Sequence, residues 1–265
     1  MTTTPILLTG GTGTLGRLLL PLLRAAGHPI RVLTRSAPAA ADAGDPHVEY
    51  VQGDLGTGAG ITEAVAGAAT IVHCAGSAKG DDVKARNLVR EAARAGAKHL
   101  VYISVVGADR VPVRSAADRA MFGYFAAKRA AEVLVAESGV PWTTLRASQF
   151  HELTLATVRQ MARMPVVPVP AGVRFQPVDG AEVAARLAEL AVGEPAGLVP
   201  DLAGPKIYGM DELVRTYLSA AGKRRAVVRV RMGGGAYRAI RDGANLAPGR
   251  AIGRRTWEEF LAENV

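Results

Sequence analysis

Short apolar runs alternate with amphipathic stretches along the first 149 residues. Runs rich in aliphatic and β-branched residues lie at positions 6–8, 30–33, 48–51, 69–72 and 100–103. Apolar positions recur at helical spacing over 15–26, 60–65, 83–95 and 118–137. Apolar strands separated by helices are typical of βαβ crossovers, in which helices cover both faces of a parallel sheet. The pattern therefore predicts an α/β fold with a doubly wound parallel sheet, to which Trp142–Leu145 adds a sixth strand.

The pattern loosens after residue 149. Helices are predicted over 152–162, 180–191 and 210–221, weaker strands over 173–178, 197–202 and 226–230, and a proline-rich connection over 165–170. Thr256 is expected to cap a short amphipathic helix that runs to Leu261. We therefore expect a core over residues 1–149 and a smaller lobe over 150–265 that partly returns to the core sheet.

The composition is that of an ordinary globular protein. Of 265 residues, 49% are hydrophobic and 21% charged, which excludes an intrinsically disordered chain. The one cysteine, Cys74, cannot form an internal disulfide or a cysteine-rich zinc site, and this favours a reducing compartment. No apolar run reaches the roughly 18 residues of a membrane helix. Residues 1–5 have no basic start, so a soluble, cytoplasmic protein without a targeting segment is expected.

The net charge of +8 at pH 7 raises the question of a nucleic-acid partner. The arginines are scattered, and only residues 223–225 and 254–255 form basic clusters. Few aromatic residues stand beside these clusters as platforms on which bases would stack. The basic side chains are therefore interpreted as solvated surface.

A glycine-rich loop follows the first predicted strand and opens the first predicted helix. Its sequence from Thr9 is Thr-Gly-Gly-Thr-Gly-Thr-Leu-Gly. Glycines at this spacing permit a tight turn and a close approach of the backbone to a pyrophosphate, whose charge the helix N-terminus stabilises. A glycine-rich turn without a ligand is the alternative. The predicted dinucleotide contacts are Gly10, Thr12, Gly13, Thr14, Leu15 and Gly16.

Arg35 stands at the end of the second predicted strand, where an NAD-specific site would carry Asp or Glu. Because a guanidinium pairs with a 2′-phosphate and stacks on adenine, the predicted cofactor is NADP(H). The alternative is that Arg35 stands at this position by chance, because arginine is abundant in the chain. Asp54, with Leu55 beside it, follows the third strand and is placed to accept a hydrogen bond from the adenine amino group. An aspartate that only caps its own loop is the alternative there.

Tyr124 and Lys128 lie four residues apart in the predicted helix 118–137, which places both side chains on one face. A phenol is a poor acid or base at neutral pH, but a neighbouring ammonium and a bound nicotinamide cation stabilise the phenolate. Tyr124 would then exchange a proton with a carbonyl oxygen as hydride moves, while Lys128 also holds the nicotinamide ribose. An ordinary amphipathic helix is the alternative interpretation.

With these motifs, the chain resembles the atypical, NmrA-like branch of the short-chain dehydrogenase/reductase superfamily of NAD(P)-binding Rossmann-fold proteins. Residues 101–107, 141–150 and 256–261 resemble that branch as well, so the likeness covers nearly the whole chain. The resemblance implies a dinucleotide loop at residues 9–16, an adenine contact at Asp54 and a catalytic pair in Tyr124 and Lys128.

Ser104 is the third catalytic candidate that the resemblance suggests. The extended members of the superfamily tend to carry Ser or Thr about two residues later, where this chain has Val106. Ser104 therefore either completes the catalytic set or binds cofactor or substrate instead. The other hydroxyl groups considered for the catalytic role are those of Thr143, Ser115 and Ser148.

The segment after the fourth strand is predicted to line the cofactor through Cys74, Ala75 and Gly76. Metal binding by His73 and Cys74 is disfavoured, because adjacent residues chelate poorly and no third ligand is evident. Cys74 as a nucleophile lacks a positioned base. His151 falls where substrate and nicotinamide are expected to meet, with a buried and satisfied histidine as the alternative.

Two functions of different classes follow. One is an NADPH-dependent oxidoreductase that transfers hydride to a carbonyl, enone or quinone, with Tyr124 as acid and base. The other is a non-catalytic, NmrA-type redox sensor that binds NADP(H). The Tyr124 and Lys128 pair favours the enzyme, since a sensor needs no acid; an epimerase is disfavoured because no sugar-nucleotide signal is found. The expected partner is an apolar carbonyl compound or quinone, with no nucleic acid and no membrane, and a homodimer is left open. The lobe at 150–265 is expected to select the substrate.

Overall fold

The computed structural model describes residues 4–36, 47–77 and 80–265. Residues 37–43, whose richness in proline and alanine predicts a surface loop, lie outside the described residues. The chain folds into two compact units that alternate along the sequence. The first comprises Met1–Ser104, Ala127–Leu145 and Val183–Val199, and the second comprises Val105–Ala126, Arg146–Glu182 and Pro200–Val265. The division into a cofactor core over 1–149 and a substrate lobe over 150–265 stays a prediction.

The first unit is built on a sheet of seven strands among the described residues. The strands are β1 (Ile6–Thr9), β2 (Ile30–Thr34), β3 (Val48–Gln52), β4 (Thr70–His73), β5 (His99–Val105), β6 (Trp142–Ala147) and β9 (Gly197–Leu198). Their spatial order is β3-β2-β1-β4-β5-β6-β9. β1 pairs in parallel with β2 and β4, β2 with β3, β4 with β5, and β6 with β9. The predicted doubly wound α/β fold is confirmed.

Helices connect these strands where the spacing of apolar residues predicts them. They are α1 (Thr14–Ala25), α2 (Ile61–Val65), α3 (Asp81–Arg94), α4 (Ala116–Ala136) and α6 (Gly180–Val192). All four residues of β1 are buried, as expected for a central strand covered on both faces. Ile71, Leu88 and Leu100 are fully buried in the same core cluster. The polar groups at the carboxyl ends of β1, β4 and β5 are thereby held on a rigid sheet.

The second unit contains two small sheets and a separate apolar core. Its elements are α5 (His151–Met161), β7 (Val166–Pro170), β8 (Arg174–Phe175), β10 (Tyr208–Gly209), α7 (Met210–Ala220), β11 (Ala226–Val230), α8 (Gly235–Arg241), a 3₁₀ turn (Pro248–Arg250) and α9 (Trp257–Asn264). β11 pairs with β7 in parallel, and β10 pairs with β8 antiparallel. Val158, Leu213 and Trp257 are fully buried in its core.

The prediction of a connection over 165–170 is wrong, because residues 166–170 form strand β7. Its side chains alternate, with Val167 and Val169 buried and Val166 and Pro168 exposed. A two-stranded sheet has an open edge along each strand, where a proline without an N–H group is tolerated. Pairing with β11, a strand far along the chain, therefore gives this segment a structure that its own sequence does not indicate.

Other predictions for the second half are confirmed or corrected individually. The strand at 226–230 is confirmed as β11, whereas the strands at 173–178 and 197–202 shrink to the two-residue strands β8 and β9. Helix α8 was not predicted. Thr256 is the N-cap of α9: its Oγ1 accepts from the Glu259 N–H at 3.3 Å, and the Glu259 carboxylate accepts from the Thr256 N–H at 2.8 Å.

The described part of the chain contains no helix of the length and apolarity that crossing a bilayer requires.

Candidate functional site

The glycine-rich loop forms a tight turn between β1 and α1. Gly10 has φ +74°, a backbone conformation that side chains with a Cβ rarely adopt, and its carbonyl accepts a hydrogen bond from the Gly13 N–H at 3.0 Å. Gly13 is the N-cap of α1 and supplies no side-chain cap, and no acidic residue stands in the first turn. The first amides of α1 thus remain available to an anion, with the positive end of the helix dipole behind them.

The loop is too crowded to admit larger residues. A Cβ on Gly16 would lie 2.2 Å from the Gly10 carbonyl oxygen, and a Cβ on Gly10 would lie 2.6 Å from the Ala75 backbone nitrogen. The segment Cys74–Gly76 after β4 therefore runs directly against this turn. Thr12, Gly13 and Thr14 are exposed, whereas Leu15 and Gly16 are buried. These features fit a cradle for a dinucleotide pyrophosphate, in which the backbone makes the contacts.

Arg35 and Asp54 follow neighbouring strands β2 and β3. Arg35 is exposed, and the Gln52 side-chain amide lies 3.5 Å from its carbonyl oxygen. The Oδ1 atom of Asp54 accepts a hydrogen bond from the Gly56 N–H at 2.7 Å, so the aspartate does cap its own loop. Leu55 is buried beside it. Contact of Arg35, Asp54 and Leu55 with the adenosine end of a cofactor stays a prediction.

Lys128 is buried at the carboxyl end of the sheet. Its ammonium donates to the Ile103 carbonyl at 3.1 Å and lies 3.2 Å from the Asp81 carboxylate. The two charged side chains are only 5% and 2% exposed, so the ion pair is shielded from solvent. The Oδ1 atom of Asp81 also accepts from the Ser77 N–H at 2.8 Å, which fixes the carboxylate at the start of α3. Gly76 borders this pair: a Cβ there would lie 3.2 Å from the ammonium nitrogen.

Tyr102 and His73 complete the polar group around Lys128. The ammonium lies 5.0 Å from the centroid of the Tyr102 ring, which stacks on His73 at 5.4 Å. Burial alone would lower the pKa of Lys128, but Tyr102 and Asp81 raise it above its ordinary value. Burial, reinforced by the positive charge of Lys128, lowers the pKa of His73 to about 3. His73 is therefore neutral at physiological pH, with Nδ1 2.7 Å from the Thr9 hydroxyl.

Cys74 is unsuited to nucleophilic catalysis. Desolvation raises the pKa of its thiol to about 12, and Lys128 offsets only part of this effect. Because the thiolate is the reactive form, almost none of it exists at neutral pH. Contact of Cys74, Ala75 and Gly76 with a cofactor stays a prediction, and it would be made by their backbone and small side chains.

Tyr124 lies on α4 one turn before Lys128 and is half-buried, with its ring edge against Phe125 at 6.1 Å. Ser104 lies near the end of β5, directly after the Ile103 carbonyl that receives the Lys128 ammonium. The Ser104 side chain is buried, and no group in the described residues forms a hydrogen bond with its Oγ. A buried hydroxyl without a partner is costly unless a ligand or water satisfies it.

The other hydroxyl candidates all serve the fold. Thr143 Oγ1 is bonded to His99 Nε2 at 2.8 Å, and Ser148 Oγ donates to the Gln176 carbonyl at 2.5 Å. Ser115 Oγ accepts from the Asp118 N–H at 3.0 Å at the start of α4. Val106 is buried in an apolar cluster with Ala203 and Ala247. Among these candidates, only the Ser104 hydroxyl group forms no hydrogen bond with the described residues.

His151 is buried, as its alternative interpretation expects, but only one of its two ring nitrogens has a hydrogen-bond partner among the described residues. Its ring stacks on Phe260 at 5.0 Å and on Trp257 at 5.8 Å, and Nε2 lies 3.0 Å from the Arg255 carbonyl oxygen. Burial lowers its pKa, so the ring stays neutral at physiological pH. In the second unit, His151 therefore anchors α9 to α5.

Asp81 and Tyr102 were missed by the sequence analysis. Neither residue belongs to a motif that the sequence displays. Asp81 is the first residue of α3, and Tyr102 lies within β5. A signal was present for Asp81, because an acidic residue opening a helix after β4 lies at the same edge of the sheet as Lys128. No comparable signal exists for Tyr102, because an aromatic residue in an apolar strand is expected to pack in the core.

A family model described as NAD(P)H-binding matches residues 10–189. The chain is 33% identical over 176 residues to a ceramide reductase of Caulobacter vibrioides, an alignment covering 62% of this chain and 53% of that protein. It is also 33% identical over 152 residues to a (4-alkanoyl-5-oxo-2,5-dihydrofuran-3-yl)methyl phosphate reductase of Streptomyces griseus, covering 57% and 50%. The chain thus spans about half the length of the curated relatives it matches.

The fold has a close counterpart among solved structures. An NADPH-dependent quinone oxidoreductase from Escherichia coli, in complex with NADPH, superposes with a TM-score of 0.81 at 22% identity, covering 98% of this chain and 99% of that chain. The family match includes the glycine turn, the segment after β4 and the buried Lys128. The chain belongs to the NAD(P)H-binding family, and it shares its fold with the solved quinone oxidoreductase.

Proposed function

We propose that the protein is an NADPH-dependent reductase that transfers hydride to the carbonyl, enone or quinone of an apolar small molecule. The two curated relatives are named reductases, and the superposed E. coli structure is named an NADPH-dependent quinone oxidoreductase, which supports reduction as the reaction class. Bound NADPH supplies the hydride from its nicotinamide ring. The remaining tasks fall to side chains of this chain: binding the cofactor, delivering a proton and holding a positive charge near the reacting oxygen.

The observation that carries the proposal is the buried ammonium of Lys128 at the carboxyl edge of the sheet. Parallel sheets bind dinucleotides at this edge, next to the loop after the first strand. A raised pKa keeps Lys128 protonated through the neutral range, which is the state that stabilises a phenolate or holds a ribose hydroxyl. The nearby Ser104 hydroxyl provides a donor that the fold leaves unused.

Tyr124 is proposed as the acid that protonates the substrate oxygen. It shares a helix face with Lys128, because four residues separate them on α4. A charged ammonium one turn away favours the ionised phenol and thereby strengthens it as an acid near neutral pH. Ser104 is proposed as a hydrogen-bond donor to the same oxygen, a contribution that stabilises developing negative charge.

NADPH rather than NADH is proposed as the cofactor because Arg35 follows β2. A guanidinium there offers a bidentate partner to a 2′-phosphate, whereas an acidic residue would repel it. Arg35 is exposed and so is accessible to a ligand.

The test is NADPH consumption by the full chain against a panel of quinones, enones and aliphatic ketones, followed by loss of nicotinamide absorbance. Tyr124→Phe removes only the phenolic oxygen and should lower turnover at least a hundredfold, the scale of general acid catalysis, with NADPH affinity preserved. Tyr217→Phe, the same change at a buried tyrosine of α7, is the matched control.

Turnover lost in Tyr124→Phe and kept in Tyr217→Phe supports the reductase. Unchanged turnover in Tyr124→Phe removes this residue from the mechanism. Tight NADPH binding without turnover on any substrate would contradict the enzyme and support the redox sensor, which reports the cofactor's oxidation state to a protein partner.

A further inference from the structure

The outer face of the small sheet formed by β7 and β11 is apolar and exposed. Parallel register pairs Val166 with Ala226, Pro168 with Val228, and Pro170 with Val230, so these six side chains share one face. Val166, Val228 and Val230 are 48%, 47% and 43% exposed. The inner face, which carries Val167 and Val169, is buried in the core of the second unit. We call the six outward residues the valine face.

A basic cavity adjoins the valine face at the amino ends of its two strands. The cavity measures about 560 Å³, and Pro165 and Ala226 form the part of its lining that leads into β7 and β11. Its cationic residues are Arg215, Lys223, Arg224 and Arg225, and its lining contains no acidic residue. Within the described part of the chain, none of these four side chains takes part in a salt bridge.

Apolar side chains exposed beside cations that lack a salt-bridge partner are characteristic of surfaces that dock on anionic membranes. The cations attract acidic headgroups, while the valines enter the boundary between headgroups and acyl chains. A second copy of this chain fits less well, because each chain has a net charge of +8 and would present the same basic cavity. Nucleic acid also fits less well, because no aromatic residue lines the cavity or the valine face.

We propose that the valine face and the adjoining basic cavity form a peripheral docking surface for anionic phospholipid bilayers. The expectation that the protein has no membrane partner rested on the lack of an apolar run long enough to span a bilayer. A protein that binds at the bilayer surface does not need such a run. The proposal does not depend on the reductase activity, since all the residues that carry it lie outside the cofactor loop and the Lys128 group.

Co-sedimentation of the full chain with lipid vesicles tests the proposal. Vesicles of phosphatidylcholine with phosphatidylglycerol are compared with vesicles of phosphatidylcholine alone, at low and high salt. We expect at least tenfold tighter binding to the anionic vesicles and a loss of this binding as salt screens the cations.

Two double variants separate the contributions of charge and apolar contact. Arg224→Glu with Arg225→Glu should abolish binding, and Val228→Ser with Val230→Ser should weaken it at least tenfold. The matched controls make the same changes at exposed positions elsewhere: Lys98→Glu with Arg250→Glu, and Leu153→Ser with Ile252→Ser. Circular dichroism identifies any variant that is unfolded, and such a variant is replaced by the single substitution.

Three results would overturn the proposal. One is equal binding, or none, to anionic and neutral vesicles. Another is binding of a duplex oligonucleotide as tight as that of vesicles and insensitive to the valine substitutions, which would assign the cavity to nucleic acid. The third is a chain that does not bind vesicles and that forms a dimer in light scattering. If the valine substitutions dissociate this dimer, the valine face is an interface between two copies of the chain.

Discussion

The Asp81 carboxylate lies 3.2 Å from the Lys128 ammonium, and the two charges on α3 and α4 are almost fully withdrawn from solvent. A buried pair of this kind behaves as a unit, because loss of one partner leaves the other as an uncompensated charge in a medium of low polarity. Asp81 is therefore a positioning residue for Lys128 in the proposed reaction.

Asp81→Asn should shift the pH dependence of turnover. Burial lowers the pKa of Lys128, and without the carboxylate only Tyr102 still opposes this effect, so the pKa falls. The alkaline limb of the kcat/KM profile should therefore move to lower pH, and turnover at a pH above that limb should fall. Steady-state kinetics over a pH series measures both.

Asp82→Asn is the control for this experiment. Asp82 is the next residue of α3, and its carboxylate lies 3.9 Å from Arg86 at the surface. Its profile should match that of the natural chain. An Asp81→Asn variant with an unshifted alkaline limb would show that the carboxylate does not act on the reaction through Lys128.

His73 should make the protein less stable as the pH falls. Its pKa is about 3 in the folded state against 6.5 for the ordinary group, so below about pH 6.5 the unfolded chain binds a proton that the folded chain excludes. Stability is lost progressively from pH 6.5 toward pH 3. The contribution between pH 7 and pH 5 is roughly 2 kcal/mol.

Denaturant unfolding of His73→Asn at several pH values isolates this contribution. Asparagine retains a polar group near Thr9 but does not titrate, and the other histidines contribute equally to both proteins. The difference in unfolding free energy between the two proteins should therefore narrow by roughly 2 kcal/mol from pH 7 to pH 5. A difference independent of pH would mean that His73 binds a proton as readily in the folded chain as in the unfolded chain.

Arg35→Asp should move cofactor preference from NADPH toward NADH. The carboxylate repels a 2′-phosphate and accepts a hydrogen bond from the ribose 2′-hydroxyl instead. Loss of a charge-assisted bidentate contact corresponds to roughly 1.5–3 kcal/mol, which is a factor of ten or more in NADPH affinity. Calorimetric titration with each cofactor measures the ratio.

Lys98→Asp applies the same reversal of charge at an exposed residue between α3 and β5. It should leave the ratio of the two affinities unchanged. If Arg35→Asp also leaves that ratio unchanged, the 2′-phosphate is bound elsewhere or not at all.

The elements that can be predicted from the sequence are those whose own residues carry a recognisable pattern. β1, the glycine turn and α1 follow one another within residues 6–25, and each carries its own pattern. Strand β7 carries no such local pattern, because its two prolines disfavour a strand. Only the pairing with β11 stabilises this segment as a strand. Helix α8 begins among glycines and gives no run long enough to reveal a helical period.

The candidate site divides in the same way. Tyr124 and Lys128 are visible because helical spacing alone relates them, whereas the relation between Lys128 and Asp81 exists only after two helices meet at one edge of the sheet. The choice among the four candidate hydroxyl groups also depends on the three-dimensional structure. Sequence shows four hydroxyl groups, and only the structure shows that the fold already employs three of them.

The raised pKa of Cys74 has a practical consequence for spectroscopy. The chain has one cysteine, and at neutral pH that thiol is almost entirely protonated and thus slow toward maleimides and other alkylating reagents. A cysteine introduced at an exposed position would be labelled selectively without first replacing the native one. A fluorophore or spin label can therefore be attached at one chosen site while the segment after β4 keeps its natural sequence.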